Sequence, residues 1–272
     1  MITIRKRLSR LMMVVLVLLL LYQTTSCGGG DEKEEENSPK QSTPTVAIVP
    51  AFPGIGLGRV MPEIAEPTGI IICIDPGHGF VDGGAGDGIL PDGILEKDIN
   101  LSIAQKLSED LIAYGYETIL THDGVNLPAA AGSNSIFNAT ERAAYVNSIT
   151  MDYFISIHVN SSTNPDAEGS RIYYYDNSIK VNKIGGTIAE LMGKNIEENM
   201  PDDLDPVIVD QSEDPNTSFA LCRDVKYPSS LVEVGFCTNE NDAAKMIRDD
   251  WQAQFAQSLA DGVNEYFTEY AD

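Results

Sequence analysis

A continuous apolar run, Ile70-Ile71-Ile72-Cys73-Ile74, is the feature that most constrains the fold of this chain. The run is rich in β-branched residues and is bounded by Gly69 and by Asp75-Pro76-Gly77. Such runs are typical of strands buried on both faces, as in a parallel sheet. A helical pattern follows from Glu96 and ends at Gly115, a good helix terminator. The apolar positions of this helix fall four residues apart, at Ile99, Ile103, Leu107 and Leu111.

Strands and helices continue to alternate along the rest of the chain. Further strands are predicted at Glu117–Thr121, Phe154–His158, Ser170–Tyr175 and Leu231–Phe236. Further helices are predicted at Thr140–Ser148, capped by Thr140, at 183–199, and twice after Asn239, with an apolar stripe of Trp251, Phe255, Leu259 and Val263. Residues 201–217 are expected to form an acidic loop with a short extended piece. The pattern predicts an α/β fold for residues 69–272, a single-domain three-layer sandwich whose mostly parallel twisted sheet is flanked by helices.

The first 26 residues are expected to be a lipoprotein-type signal peptide and not part of the fold. A basic stretch precedes the apolar run Leu11–Tyr22, which is shorter than the roughly 20 residues that span a bilayer as a helix. Thr24-Thr25-Ser26-Cys27 resembles a bacterial lipoprotein box, although Thr24 stands where Leu is usual. We therefore predict an exported protein that is lipid-anchored to the bacterial membrane through Cys27. Ordinary signal cleavage and an uncleaved anchor are the alternatives.

Residues 27–68 are expected to form a flexible linker, acidic at first and then rich in Pro and Gly. The whole chain carries 41 acidic and 18 basic side chains, a formal net charge of −23. Nucleic acid is excluded as a partner, because binding a phosphate backbone requires clustered Lys and Arg.

Two of the three histidines of the chain end apolar strands. His78 follows the first strand, and His158 ends the strand that begins at Phe154. Parallel strands bring their carboxyl ends to one edge of the sheet, and Glu96 opens a helix at that same edge. Each residue alone has an ordinary structural explanation, since the helix dipole favours a Glu at a helix start. Together, two His and one Glu suffice to bind one catalytic zinc ion, Zn²⁺.

Glu233 lies within the apolar strand Leu231–Phe236, and a buried carboxylate is costly unless it is paired or beside a metal. The structural alternative is a strand whose polar face turns Glu233 to solvent. The functional interpretation is a general base and acid beside a metal-activated water.

Five segments resemble the zinc-dependent N-acetylmuramoyl-L-alanine amidases of bacterial cell walls, in the order that this family has them. They are IDPGHG (74–79), LEKDIN (95–100), ERAAYVN (141–147), FISIHVN (154–160) and SSLVEVGFCTN (229–239). The resemblance implies that His78, Glu96 and His158 bind zinc and that Glu233 is catalytic. It also implies hydrolysis of the amide between N-acetylmuramic acid and L-alanine of the stem peptide, for cell-wall remodelling or daughter-cell separation.

This chain departs from the family at two positions. Phe80 stands where a second Gly often follows the first motif, and His122 stands where an Arg is common. We interpret His122 as a polar residue at the edge of the site and not as a ligand.

Weaker expectations concern Asn160, which could bind substrate, and Asp75, which could orient a ligand imidazole from behind. Turn formation is the ordinary explanation for both residues. The predicted partners are peptidoglycan, the membrane through the lipid anchor, and a possible protein activator, with the catalytic domain in the periplasm or at the cell surface. Two other functions stay open: a non-catalytic peptidoglycan-binding lipoprotein, and a zinc peptidase that cuts within the stem peptide.

Overall fold

Six strands form one sheet in the computed structural model, which describes residues 64–85, 90–125, 137–176, 180–212 and 218–271. The strands are β1 (Ile71–Pro76), β2 (Glu117–Leu120), β3 (Tyr153–Asn160), β4 (Arg171–Tyr174), β5 (Val207–Asp210) and β6 (Ser229–Phe236). Their order across the sheet is β2-β1-β3-β6-β4-β5. All neighbouring strands are parallel except β6 and β4, which are antiparallel, so β4 and β5 run opposite to the other four strands. The predicted mostly parallel sheet is confirmed.

Helices cover both faces of this sheet. They are α1 (Glu96–Ala113), α2 (Ala139–Val146), α3 (Lys180–Asn199), α4 (Ala220–Arg223), α5 (Glu240–Met246) and α6 (Asp249–Glu265), with a 3-10 turn at Pro91–Gly93 and a π-helical turn at Tyr266–Tyr270. Ile155 and Ile157 of β3 belong to the larger apolar cluster, which includes residues of α1, α3 and α6. Phe154 of the same strand faces the other way, into a smaller cluster with Val146 and Leu221. This alternation gives the three predicted layers.

The apolar stripe of α6 packs as predicted, because all four of its members are buried. They are Trp251, Phe255, Leu259 and Val263.

Two local details differ from the sequence expectations, and a third confirms one. Asn138 caps α2, since its Oδ1 accepts hydrogen bonds from the backbone N–H groups of Thr140 and Glu141, so the predicted cap at Thr140 is wrong. The short extended piece expected in the acidic segment is present as β5, a half-exposed edge strand. Helix α4 was not predicted, and its single turn is too short to show a period.

The end of the predicted linker attaches to the folded domain. Ala65 N–H donates to the carbonyl of Ala113 at 3.0 Å, and Thr68 N–H donates to the carbonyl of Gly115 at 2.9 Å. Residues 64–69 nevertheless remain exposed. Within the described ranges, no helix has the length and apolar character needed to cross a membrane. The predicted signal peptide and Cys27 lie outside those ranges.

Candidate active site

Three neighbouring strands bring chemically active side chains to the carboxyl edge of the sheet. His78 follows β1, His158 lies near the end of β3, and Glu233 lies in β6 directly opposite His158 in the parallel register. Glu96 is the first residue of α1 and is buried at the same edge. The structure therefore brings together the four residues to which the sequence assigned chemistry.

Glu96 is the centre of this group. Its Oε1 lies 3.3 Å from Nε2 of His78 and 3.2 Å from Nδ1 of His158, and it accepts the Val159 N–H at 2.9 Å. Its Oε2 accepts the Ala85 N–H at 2.5 Å. Burial alone would raise the pKa of Glu96, but the hydrogen bonds and charges of the two imidazoles outweigh it and hold the pKa well below its ordinary value.

The imidazole of His78 is fixed from both sides. Its Nδ1 lies 2.9 Å from Oδ2 of Asp82, while its Nε2 faces Glu96. Burial opposes the charged imidazolium, yet the two carboxylates outweigh this effect and raise the pKa of His78 to about 9. Asp82 was not predicted as a site residue, although a carboxylate four residues after a candidate ligand could have indicated it.

This geometry fits a divalent metal ion. Ligand atoms of His78, Glu96 and His158 all lie within 4.8 Å of one another. Nε2 of His158 is buried and has no hydrogen-bond partner, which is costly for an imidazole nitrogen unless another group completes its surroundings. Two imidazoles and one carboxylate form a donor set that suits zinc and leaves further positions open.

Two glycines let the backbone approach His158 and Glu96 closely. A Cβ on Gly77 would overlap the ring of His158, and a Cβ on Gly84 would overlap the Glu96 carboxylate. Gly84 also has a φ of +79°, which side-chain-bearing residues rarely adopt. Between these glycines, His78 and Phe80 have φ angles of 60° and 58°, also in the left-handed region. The surrounding hydrogen bonds must hold this backbone in place.

Arg142 supplies several of those hydrogen bonds. The guanidinium donates to the carbonyl oxygens of Pro76, His78 and Phe137 and to Oδ1 of Asp75 at 2.7 Å. Sequence reasoning placed Arg142 in a matching segment but gave it no role. Since its partners are mostly carbonyl groups, the sequence contains no signal that would reveal them.

Asp75 is fully buried and accepts hydrogen bonds from Thr121 at 2.5 Å, Ser156 at 2.8 Å and Arg142. Burial would raise its pKa, but Arg142 and the two hydroxyl groups outweigh burial and lower it. These contacts connect Asp75 to His78 through Arg142, so any orienting effect on an imidazole is indirect.

His122 uses both ring nitrogens in hydrogen bonds. Its Nε2 lies 2.7 Å from the carbonyl oxygen of Pro76, and its Nδ1 accepts the Gly124 N–H at 3.1 Å. Burial and the charge of Arg142 lower its pKa, which favours the neutral ring that this pattern requires. Its ring packs against Phe80 with centroids 5.0 Å apart. The two residues that depart from the family pattern therefore contact each other.

Glu233 has a very different environment from Glu96. The residue is buried, and its Oε2 has no hydrogen-bond partner. Burial raises the pKa of Glu233 to about 7, the charge of Glu96 adds to the rise, and the two imidazoles oppose it. A carboxyl group with this pKa can both accept and donate a proton near neutral pH.

A cleft of about 410 Å³ opens over these four residues. Its other walls include Phe137, Asn138, Asn160, Phe219 and Leu231. Asn160 is half-buried, and its Oδ1 accepts the Ser161 N–H at 2.8 Å. The amide nitrogen of Asn160 has no contact of this kind in the described part of the chain, so the predicted role in substrate binding stays a prediction.

Cys73, Cys222 and Cys237 are buried free thiols, and burial raises the pKa of each. Their environment favours the protonated, unreactive form.

Comparison with known proteins gives consistent matches. A family model described as N-acetylmuramoyl-L-alanine amidase matches residues 72–265. The germination-specific N-acetylmuramoyl-L-alanine amidase of Bacillus subtilis is 28% identical over 210 residues, which are 75% of this chain and 83% of that protein. N-acetylmuramoyl-L-alanine amidase LytC of Bacillus subtilis is 31% identical over 212 residues, which are 77% of this chain but 38% of that protein.

Solved structures show the same similarity. N-acetylmuramoyl-L-alanine amidase AmiC2 of Nostoc punctiforme superimposes with a TM-score of 0.61 and 28% identity, covering 75% of this chain and 99% of that chain. An N-acetylmuramoyl-L-alanine amidase of Clostridium difficile superimposes with a TM-score of 0.62 and 26% identity, covering 74% of this chain and 98% of that chain.

Proposed function

The chain belongs to the N-acetylmuramoyl-L-alanine amidase family, and on this premise we propose that it is a zinc enzyme of peptidoglycan. The bond it cleaves is the amide between the lactyl group of N-acetylmuramic acid and L-alanine of the stem peptide. One observation carries the proposal: ligand atoms of His78, Glu96 and His158 lie within 4.8 Å of one another at the sheet edge where Glu233 is buried without a partner for Oε2.

His78, Glu96 and His158 would hold the metal ion. Zinc bound there would polarise the scissile carbonyl and lower the pKa of a water molecule to about 7. Asp82 keeps the His78 ring in the orientation that this requires, through the 2.9 Å contact with Nδ1. Arg142 holds the backbone on which His78 is carried.

Glu233 would move the proton. In its ionised form, the buried carboxylate accepts a proton from the attacking water. It then donates this proton to the nitrogen of L-alanine, which leaves as an amine. Because burial raises the pKa of Glu233 to about 7, its protonated carboxyl group donates the proton readily at neutral pH. General acid–base catalysis of this kind contributes roughly 100- to 10,000-fold to the rate.

The cleft walls would bind the rest of the substrate. Phe137 and Phe219 offer apolar surface, and Asn160 offers an amide to the glycan or the peptide.

We also propose that the chain is exported and held at the membrane by a lipid on Cys27, with the catalytic domain in the periplasm or at the cell surface. The signal-like residues 1–26 and the acidic residues that follow support this location. The CwlD amidase of Clostridioides difficile, a structural neighbour, was solved in complex with the GerS lipoprotein. A protein activator for this chain is a further part of the proposal, and cell-wall remodelling or daughter-cell separation is the process it would serve.

Digestion of purified peptidoglycan tests the proposal. The full chain, purified in detergent, should carry about one zinc ion and should release stem peptides that begin with L-alanine, as identified by mass. His78→Ala should lose both the metal and the activity. Peptides cut between later residues would instead indicate a stem-peptide endopeptidase, and binding without release would indicate a non-catalytic wall protein.

A further inference from the structure

Arg171 lies beside Glu233 at the catalytic edge. Because β4 is antiparallel to β6, the first residue of β4 lies at the edge where β1, β3 and β6 end. Arg171 is directly opposite Glu233 in this register, as His158 is on the other side. Residues paired in this way point to the same face of the sheet, with Cβ atoms about 5 Å apart. Three charged or ionisable side chains therefore form a row across the edge.

The guanidinium of Arg171 packs against a neighbouring ring but does not have hydrogen-bond partners for all of its donors. Its carbon lies 4.9 Å from the centroid of the Phe236 ring, a geometry that orients the planar group. The Nε atom is buried and has no hydrogen-bond partner. Within the described ranges, the side chain has no ion pair, whereas Lys194, Lys245 and Arg248 all do. An arginine without an anion is notable in a chain with 41 acidic side chains.

The catalytic edge is otherwise rich in carboxylates. Glu96, Glu233 and Asp82 all line the cleft. The guanidinium of Arg142 already donates hydrogen bonds to Asp75 and to carbonyl groups. An anionic substrate group would be repelled by most of this surface. Arg171 is not itself among the residues that line the cleft, but it lies beside Glu233, which is, and its charge lowers the pKa of Glu233. The Nε of Arg171 has no hydrogen-bond partner.

We propose that Arg171 binds a carboxylate of the stem peptide. This carboxylate would belong to about the second residue after the scissile amide, so that Arg171 selects acidic peptides. This inference rests on the proposed function. A planar guanidinium pairs with a carboxylate through two parallel hydrogen bonds. The carboxylate must come from the peptide, because the lactyl carboxyl group is consumed in the scissile amide and the sugars carry no other. The second residue of a stem peptide, a D-glutamate linked through its side chain, supplies one.

Two fragments that differ in a single group test this inference. N-acetylmuramoyl-L-alanyl-γ-D-glutamyl-L-alaninamide carries the free α-carboxylate of D-glutamate as its only carboxylate, and the D-isoglutaminyl analogue replaces that group with an amide. The wild-type chain should cleave the acid with a kcat/KM about tenfold higher than the amide, mostly through KM. Arg171→Gln should bring this ratio to about one. Arg171→Lys should leave an intermediate ratio, because lysine keeps the positive charge but cannot form two parallel hydrogen bonds with a carboxylate.

Lys226→Gln is the matched control, since it removes one positive charge from an exposed residue just before β6, at the opposite edge of the sheet. The wild-type ratio should survive this change. An unchanged acid-to-amide ratio in both Arg171 variants would overturn the inference while the amidase proposal stands. Failure of the wild-type chain to cleave either fragment at the lactyl amide would overturn the proposed function, and this inference with it.

Discussion

Two buried glutamates lie at the same sheet edge, and their surroundings could hardly differ more. Glu96 accepts hydrogen bonds from backbone N–H groups and faces two imidazoles, which lower its pKa. Glu233 is buried with one oxygen unpartnered, and its pKa is raised to about 7. The same side chain is therefore kept ionised in one place and left able to exchange a proton in the other. Separated pKa values of this kind distinguish the roles of paired carboxylates, and they agree with the proposed roles of a metal ligand for Glu96 and a proton carrier for Glu233.

Replacing each glutamate with glutamine should have the largest effects, and it tests directly whether the two residues have different roles. Glu233→Gln should lower kcat about 100- to 10,000-fold, because the amide cannot carry the proton, while the bound zinc stays. Glu96→Gln should lose zinc as well as activity. Metal content measured beside peptidoglycan digestion distinguishes the two variants, and loss of zinc from Glu233→Gln would contradict the division of roles.

The pH dependence of stability should have opposite signs for the two residues in the metal-free protein. Since the pKa of Glu233 is raised from an ordinary 4.5 to about 7, its ionisation destabilises the fold. This penalty is absent below pH 4.5 and complete above pH 7. Metal-free Glu233→Gln should therefore be more stable than the wild type at pH 8, by about 3 kcal/mol at most, and equal to it at pH 4.5.

Glu96, whose pKa is lowered, stabilises the fold once it is ionised, so Glu96→Gln should be less stable at pH 8. Urea unfolding of both variants at the two pH values measures this contrast. A Glu233→Gln effect that did not change with pH would contradict the burial argument.

A substitution of Asp82 tests the metal-binding role proposed for His78. Asp82→Asn keeps the shape of the side chain but weakens the contact with Nδ1 of His78, so zinc affinity should fall about 10- to 100-fold. Asp98→Asn is the matched control, because Asp98 is exposed and, among the residues that the structure describes, its side chain accepts a hydrogen bond from the Leu95 N–H alone. Competition with a chromogenic chelator measures both affinities, and equal values for the two variants would remove Asp82 from the site.

The smallest expected effect concerns the scaffold and not the two glutamates. Asn138→Ala removes the cap of α2, the helix that carries Arg142, and should cost about 1 kcal/mol of stability. Thr140→Ala should change stability by less than about 0.5 kcal/mol, since Thr140 lies on the exposed side of that helix. Denaturant midpoints of the two variants provide the test.

The sequence predicted the sheet well because its central strands are buried on both faces. The segments that became β1, β3 and β6 are rich in apolar residues, and His78 follows the first while His158 lies near the end of the second, which indicated that both histidines lie at one edge. The edge strand β5 is half-exposed, so its pattern in an acidic segment was much weaker. Family resemblance supplied the substrate, which no spacing of residues could indicate.

The supporting residues were harder to find. Arg142 donates to carbonyl groups, which every residue possesses, and Arg171 lies beside Glu233 only because β4 is antiparallel to β6. Carbonyl contacts and strand register are both set by the tertiary fold, and a single sequence does not encode them in a local pattern.

The reversed direction of β4 has a consequence for how recognition could diversify. A strand that enters the reactive edge with its first residue is preceded there by a surface loop, here residues 161–170. Insertions or exchanges in that loop would reshape the approach of a bound polymer without moving the three strands that carry the reactive groups. Engineers seeking altered muropeptide selectivity would begin their libraries in this segment.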